Sequence, residues 1–147
     1  MSTDGRPDLA AMMVPLGRAL MAAERPALDA HGLTMWGYSV LLGLGGGEPV
    51  RTQSALARDI GADKTRIIGV LDGLQERGLI ERAPDPADRR VHLLSLTAEG
   101  RRVREAVRAA IREREERLLA RVPAADRAAF LRTLQALASL PREEIAG

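Results

Sequence analysis

The stretch that decides the fold runs Thr-Gln-Ser-Ala-Leu-Ala-Arg-Asp-Ile-Gly at 52–61, Ala-Asp-Lys-Thr-Arg-Ile-Ile-Gly-Val-Leu-Asp-Gly-Leu-Gln-Glu-Arg-Gly at 62–78, and Leu-Ile-Glu-Arg-Ala-Pro-Asp-Pro-Ala-Asp-Arg-Arg-Val-His-Leu-Leu-Ser-Leu-Thr at 79–97. Where two short helices cross at a tight turn, the first must be small where the second presses on it. The turn needs a residue free to take positive φ, and the second helix must return a branched apolar side chain to the shared core. Ala57, Gly61 and Ile67 fill those three places, and Leu56, Ile60, Val70, Leu71 and Leu74 complete an apolar face at helical spacing. Asp63 stands where an N-cap belongs, which starts the second helix at Lys64, Thr65 and Arg66. A DNA-reading helix puts its first turns into the major groove; here that end is polar and mostly basic.

Gly78 suits the position just past a helix C-terminus. Beyond it, Leu79 to Arg82 and Val91 to Leu96 read as strands, with Leu94 and Leu96 alternating with Ser95 as one buried face requires. Pro84-Asp85-Pro86-Ala87-Asp88 is a turn, because two prolines and two aspartates leave the backbone few alternatives. Arg89 and Arg90 therefore stand at or beside a hairpin tip, where guanidinium groups suit the negative potential of a narrow minor groove. Two short helices, a hairpin and the start of a long helix make a winged helix-turn-helix. The fold class expected is mainly α with a small β-hairpin wing.

Length and composition bound the rest. The chain has 147 residues, 46% apolar, with 22 basic and 20 acidic side chains, one domain's worth of sequence with a helical extension. Net charge is only +2, and residues 51–102 carry ten basic against eight acidic groups, so any positive surface comes from placement rather than total charge. There is no Cys, which removes disulfides, thiolate metal sites and cysteine redox sensing. No cofactor motif is present: the triple glycine at 45–47 is not followed by Gly-Lys-Ser/Thr and reads as an inter-helix turn. No apolar run reaches the roughly 18 residues of a membrane span, and Arg18 and Arg25 interrupt the N-terminal pattern, so the expectation is a cytoplasmic protein without a membrane partner.

Around the central stretch the chain reads as helices. Residues 1–7 are expected to be disordered. Leu9, Met12, Met13, Leu16 and Leu20 mark an amphipathic helix reaching toward Leu28, its stripe packed on the rest of the domain and the helix kinked or divided by Pro26. Thr34 is a natural N-cap for a helix from Met35 to about Leu44, and Val50 is placed in a short strand beside the hairpin. From Thr97 a helix of roughly 35 Å begins, with Glu99 in its first turn and a seam of Val103, Val107, Ala110, Ile111, Leu118 and Leu119. Its arginines are interspersed with Glu105, Glu113, Glu115 and Glu116, a solvated face of i,i+4 pairs. Pro123 suits the N1 position of a last helix striped by Phe130, Leu131, Leu134, Leu137 and Leu140. Terminal helices with apolar faces need a partner surface, so a twofold homodimer is expected, joined through a helical region at 8–30 and 98–142 that flanks a winged helix-turn-helix at 33–97.

The whole pattern resembles the multiple antibiotic resistance regulator (MarR) family of bacterial transcription factors. The resemblance runs through Gly-Leu-Thr at 32–34, Ser-Ala-Leu-Ala at 54–57, Leu-Asp-Gly-Leu-Gln-Glu-Arg-Gly-Leu-Ile-Glu-Arg at 71–82, Asp-Pro-Ala-Asp-Arg-Arg at 85–90 and Leu-Thr-Ala-Glu-Gly at 96–100. The wing motif followed by Leu-Thr-x-x-Gly is its specific part. The resemblance implies a homodimer, usually a repressor, on a pseudo-palindromic operator of double-stranded DNA. It places Lys64, Thr65, Arg66 and Ile68 toward the major groove, Arg90 in the minor groove, Asp88 holding Arg90, and Arg89 near the phosphates. Gly69 departs from it, because many members carry Arg two places before the Leu-Asp pair.

Members often bind small aromatic or anionic effectors in a crevice between dimerisation helices and winged domain. Met12, Met13, Arg18, His31 and Trp36 are the candidates to line such a crevice, and each also has a structural reading: a methionine stripe is commonly core, and a lone loop histidine is commonly just solvated. Catalysis finds no support in a chain with two histidines, no cysteine and no acid/base constellation; His92, on a strand, reads as packed. A winged-helix protein-docking or dimerisation module without specific DNA binding remains the alternative, which cations at both the helix start and the wing tip argue against.

Overall fold

The computed structural model describes residues 5–45 and 51–147. Expectations for residues 1–4, for the glycine run beyond Gly45 and for Val50 lie outside the described residues. Two compact units are distinguished, Met1–Ile111 and Arg112–Gly147.

In the first unit α1 (Leu9–Asp29) and α2 (Met35–Leu44) precede β1 (Arg51–Thr52), α3 (Gln53–Ile60), α4 (Lys64–Glu76), β2 (Ile80–Pro84), β3 (His92–Leu96) and α5 (Ala98–Leu119), whose last turns lie in the second unit. The strands form an antiparallel sheet in the order β1-β3-β2, with Thr52 opposite Leu93 and Arg82 opposite Leu94. Leu41, Leu56, Ile67, Leu71, Leu79, Leu94 and Val107 are fully buried, so α2, α3, α4, the sheet and α5 share one core. Truncating any of these leucines to Ala would cost about 2–5 kcal/mol.

Local chemistry explains where the helices begin and end. Thr34 Oγ1 accepts from the Gly37 amide at 3.0 Å and Thr52 Oγ1 from Ala55 at 3.1 Å, each capping a helix start. α3 stops at Gly61, whose φ of +72° lets the Ala62 amide reach back to the Ala57 carbonyl at 3.0 Å. α4 stops in the same way at Gly78, with Leu79 donating to Leu74 at 3.0 Å. At the start of α5 the Arg102 guanidinium beside Glu99 holds that carboxyl below its ordinary range. Along α5, Arg112 pairs with Glu115 and Arg117 with Glu113, as the interspersed charges predict.

The structure departs from expectation at α1, Pro123, His92 and the seam of α5. α1 runs unbroken through both Pro15 and Pro26, so Pro26 does not divide it: beyond the lost N–H of the proline the ladder resumes, the Pro26 carbonyl accepting from Ala30 at 3.0 Å. Its stripe is not packed on the domain, because the helix outruns the core. Only Ala27 and Leu28 are buried, while Leu9, Met12, Met13 and Leu16 stand exposed. Pro123 is the N-cap rather than N1 of its helix, since its ψ of 148° is extended. His92 is exposed, although it shares a face with buried Leu94 and Leu96, because the first residue of β3 lies beyond the core. The seam of α5 also divides: Val103, Val107 and Ile111 enter the core of the first unit, whereas Leu118 is exposed.

The second unit holds the end of α5, then α6 (Ala124–Ala138) and a short α7 (Arg142–Ala146) that the sequence reading does not include. Arg127 of α6 pairs with Glu116 of α5. Phe130, Leu134 and Leu137 of α6 are exposed, as is Leu140 just after it.

Candidate nucleic-acid interface

The first turn of α4 is locked from below. Asp63 Oδ1 accepts from the Arg66 amide at 2.7 Å, so the helix starts where the aspartate sets it. Lys64 is its first residue, Thr65 and Arg66 are exposed, and Ile68 leaves 47% of its surface open while its neighbour Ile67 is buried. Gly69 is exposed, with nothing within 4 Å of where a Cβ would stand.

The hairpin tip is built by two aspartates. The Asp85 amide donates to Val91 O at 2.8 Å and its carboxylate accepts from the Ala87 amide at 2.9 Å; the Asp88 carboxylate accepts from the Arg90 amide at 3.1 Å and the Arg90 Nε at 3.3 Å. Asp88 thus holds the stem of Arg90, while 92% of that side chain remains open to solvent; Arg89 beside it is exposed too. At the root of the wing, Arg82 binds Asp72 and, at 2.7 Å, Gln75, which ties β2 to α4. A hollow of about 240 Å³ has Ile67 and Ile68 of α4 on one wall and Arg90, Val91 and His92 of the wing on another, with Thr52, Gln53 and Ser54 at the start of α3. Ile68 of α4 and Arg90 of the wing therefore border one hollow; Thr65 and Arg66 are not in its lining. Gln53, Ser54 and His92 are lining residues that the sequence reading does not select; their only signal is position, at a helix start and a strand start.

The residues considered for a small-molecule crevice separate. A cavity of about 600 Å³ lies between the second half of α1 and the start of α2, with Arg18, Met21, Arg25, Leu28, Leu33 and Met35 in its lining. Arg18 is there; Met12 and Met13 lie exposed earlier on α1, and His31 and Trp36 are not among the lining residues. Trp36 turns instead toward α4, its ring centroid 5.7 Å from the Arg66 guanidinium carbon. Among the described residues no group of three or more acidic or histidine side chains is gathered to hold a metal ion, and no helix is long and apolar enough to cross a membrane.

A model of the MarR family matches residues 31–91. A MarR-family transcriptional regulator from Rhodococcus sp. RHA1, solved by X-ray crystallography, is 30% identical; the alignment covers 91% of this chain and 97% of that one, with a TM-score of 0.79. The chain belongs to the MarR family. Another MarR-like structure is CouR, a transcriptional repressor bound to a 23-mer DNA duplex, 30% identical over 89% of this chain and 92% of that one, TM-score 0.79. CouR from Rhodococcus jostii RHA1 bound to p-coumaroyl-CoA is 32% identical over 91% of this chain and 94% of that one, TM-score 0.76. A curated relative from Thauera aromatica, described as a transcriptional regulatory protein for the hcr operon, is 33% identical over 89 residues; the match spans 60% of this chain and 54% of that protein. These MarR relatives are transcription regulators rather than enzymes.

Proposed function

We propose that this chain is a DNA-binding transcriptional regulator, a repressor in its simplest mode, that sits on a pseudo-palindromic operator as a homodimer. Each protomer lays the start of α4 in a major groove and its wing in the neighbouring minor groove. Lys64, Thr65, Arg66 and Ile68 meet base edges, Arg90 enters the minor groove from its Asp88 support, and Arg89 meets phosphate. One observation carries the reading: Ile68 of α4 and Arg90 of the wing line a single hollow, so both elements can approach one duplex together. The CouR complex with a 23-mer duplex supports it. Residues 33–97 form the DNA-reading part, and 8–30 with 98–142 the part that joins two protomers, through apolar faces left exposed on α1 and α6.

The cavity between α1 and α2 is the place for an effector. Its apolar lining and the two cations Arg18 and Arg25 suit an aromatic compound carrying an anionic group, and the p-coumaroyl-CoA complex of CouR is support of the same kind. Binding there releases DNA.

Selection of bound duplexes from a random pool by the purified protein tests the proposal. An inverted repeat should emerge, with log affinity falling steeply with log salt at about 0.9 per phosphate neutralised. Arg90→Ala should cost on the order of 1–3 kcal/mol of affinity without changing the oligomeric state. No enriched sequence and a flat salt response would favour the protein-docking alternative.

A further inference from the structure

Trp36, the second residue of α2, lies outside the lining of both the hollow and the cavity. Its half-buried ring carries the Arg66 guanidinium 5.7 Å from the centroid, within the roughly 6 Å over which a cation is drawn to the negative face of an indole. Val40, Ile60, Ile67 and Val70 line the same shallow apolar recess as Trp36 and Arg66, so the ring has packed neighbours while the guanidinium stays exposed. Arg66 is thereby held twice, at its amide by Asp63 at 2.7 Å and at its tip by the indole. At the far end of α4, Arg77 donates to the carbonyls of Gly32 at 2.9 Å and His31 at 2.6 Å. The short segment from 31 to 36 therefore grips the helix at both ends.

We infer that Trp36 is a positioning residue of the DNA interface: its indole face holds the Arg66 guanidinium in the direction in which it meets the duplex. The inference rests on the reading of α4 as the DNA-reading helix. An arginine on a free stem loses rotamer freedom on reaching a base or phosphate, whereas one already stacked loses less. Discrimination by a side chain of α4 then depends on a residue of α2. The opposite arrangement, in which Arg66 must leave the ring to reach DNA, would make the stack oppose binding, so the two differ in sign.

The chain has one tryptophan, so biosynthetic replacement by fluorinated tryptophan withdraws electron density from this ring alone and nearly preserves its shape. On the duplex recovered by selection, protein carrying 5,6,7-trifluorotryptophan should bind about two- to fivefold more weakly than unlabelled protein, with 5-fluorotryptophan between them. In the Arg66→Ala background fluorination should change nothing. Trp36→Leu should lose discrimination at the same base positions as Arg66→Ala, and Trp36→Phe should restore it. Unchanged or tighter binding by the fluorinated protein, or an equal loss in the Arg66→Ala background, overturns the inference while leaving the DNA-binding proposal intact. Failure of the unlabelled protein to enrich any duplex removes the DNA-binding proposal, and this inference falls with it.

Discussion

A missing methyl group at Gly100 lets α5 start against the sheet. A Cβ there would stand 2.0 Å from the Leu79 carbonyl oxygen, a backbone atom that cannot swing aside. Thr97 completes the joint: its hydroxyl donates to Gly78 O at 2.6 Å and accepts from the Gly100 amide at 2.9 Å. This is the physical content of Leu-Thr-x-x-Gly at 96–100. Gly100→Ala should destabilise the protein by on the order of 1–3 kcal/mol in denaturant unfolding, because helix and strand must separate to admit the methyl. Gly69→Ala, on an open face of α4, should stabilise it by about 0.5–1 kcal/mol. Equal midpoints for the two variants would mean that α5 does not approach β2 this closely. At this scale, whatever acts within three or four residues is legible in the sequence: Thr34, Asp63 and Gly61 do what their types require. The contacts of Trp36 with Arg66 and of Arg77 with residues 31 and 32 are not, because nothing local announces a partner 30 or more positions away. Trp36 is a ligand candidate in the sequence, and its contact with Arg66 becomes visible only in the fold.

At the scale of elements, the wing is a lever whose root is Arg82. Its guanidinium is held by Asp72 and Gln75 of α4, so the angle between hairpin and helix is set by two side-chain bonds as well as by the sheet. Arg82→Ala should leave the core intact and loosen the hairpin. In hydrogen exchange, the amides of Asp88 and Val91 should open roughly fivefold faster, the loss of about 1 kcal/mol, while those of α2 keep their protection. Unchanged exchange at the tip would show that the ladder between Ile80–Pro84 and His92–Leu96 alone holds the wing. The helix-turn-helix and hairpin are legible because their periods of 3.6 and 2 coincide with turn residues. The extent of α1 and α5 in the core is not: an amphipathic stripe declares that it needs cover but not which surface supplies it. Residues Val103 to Ile111 find cover within their own unit, and Leu9 to Leu16 do not.

For the whole molecule, the distribution of exposed surface matters more than its net charge of +2. Apolar residues stand open on α1, at Leu9, Met12, Met13 and Leu16, and separately on α6, at Phe130, Leu134 and Leu137. Contiguous exposed apolar faces mark interaction surfaces, and a closed twofold assembly is the economical way to cover them. In the proposed homodimer the interface would be doubled, with two starts of α4 and two cationic wings offered to one duplex. The most direct test of this account is hydroxyl-radical footprinting of the protein on the duplex it selects. The account predicts protection symmetric about a dyad, with the two major-groove centres about ten base pairs apart and minor-groove protection outside each. A single one-sided footprint, or protection confined to phosphates without the flanking minor grooves, would contradict it.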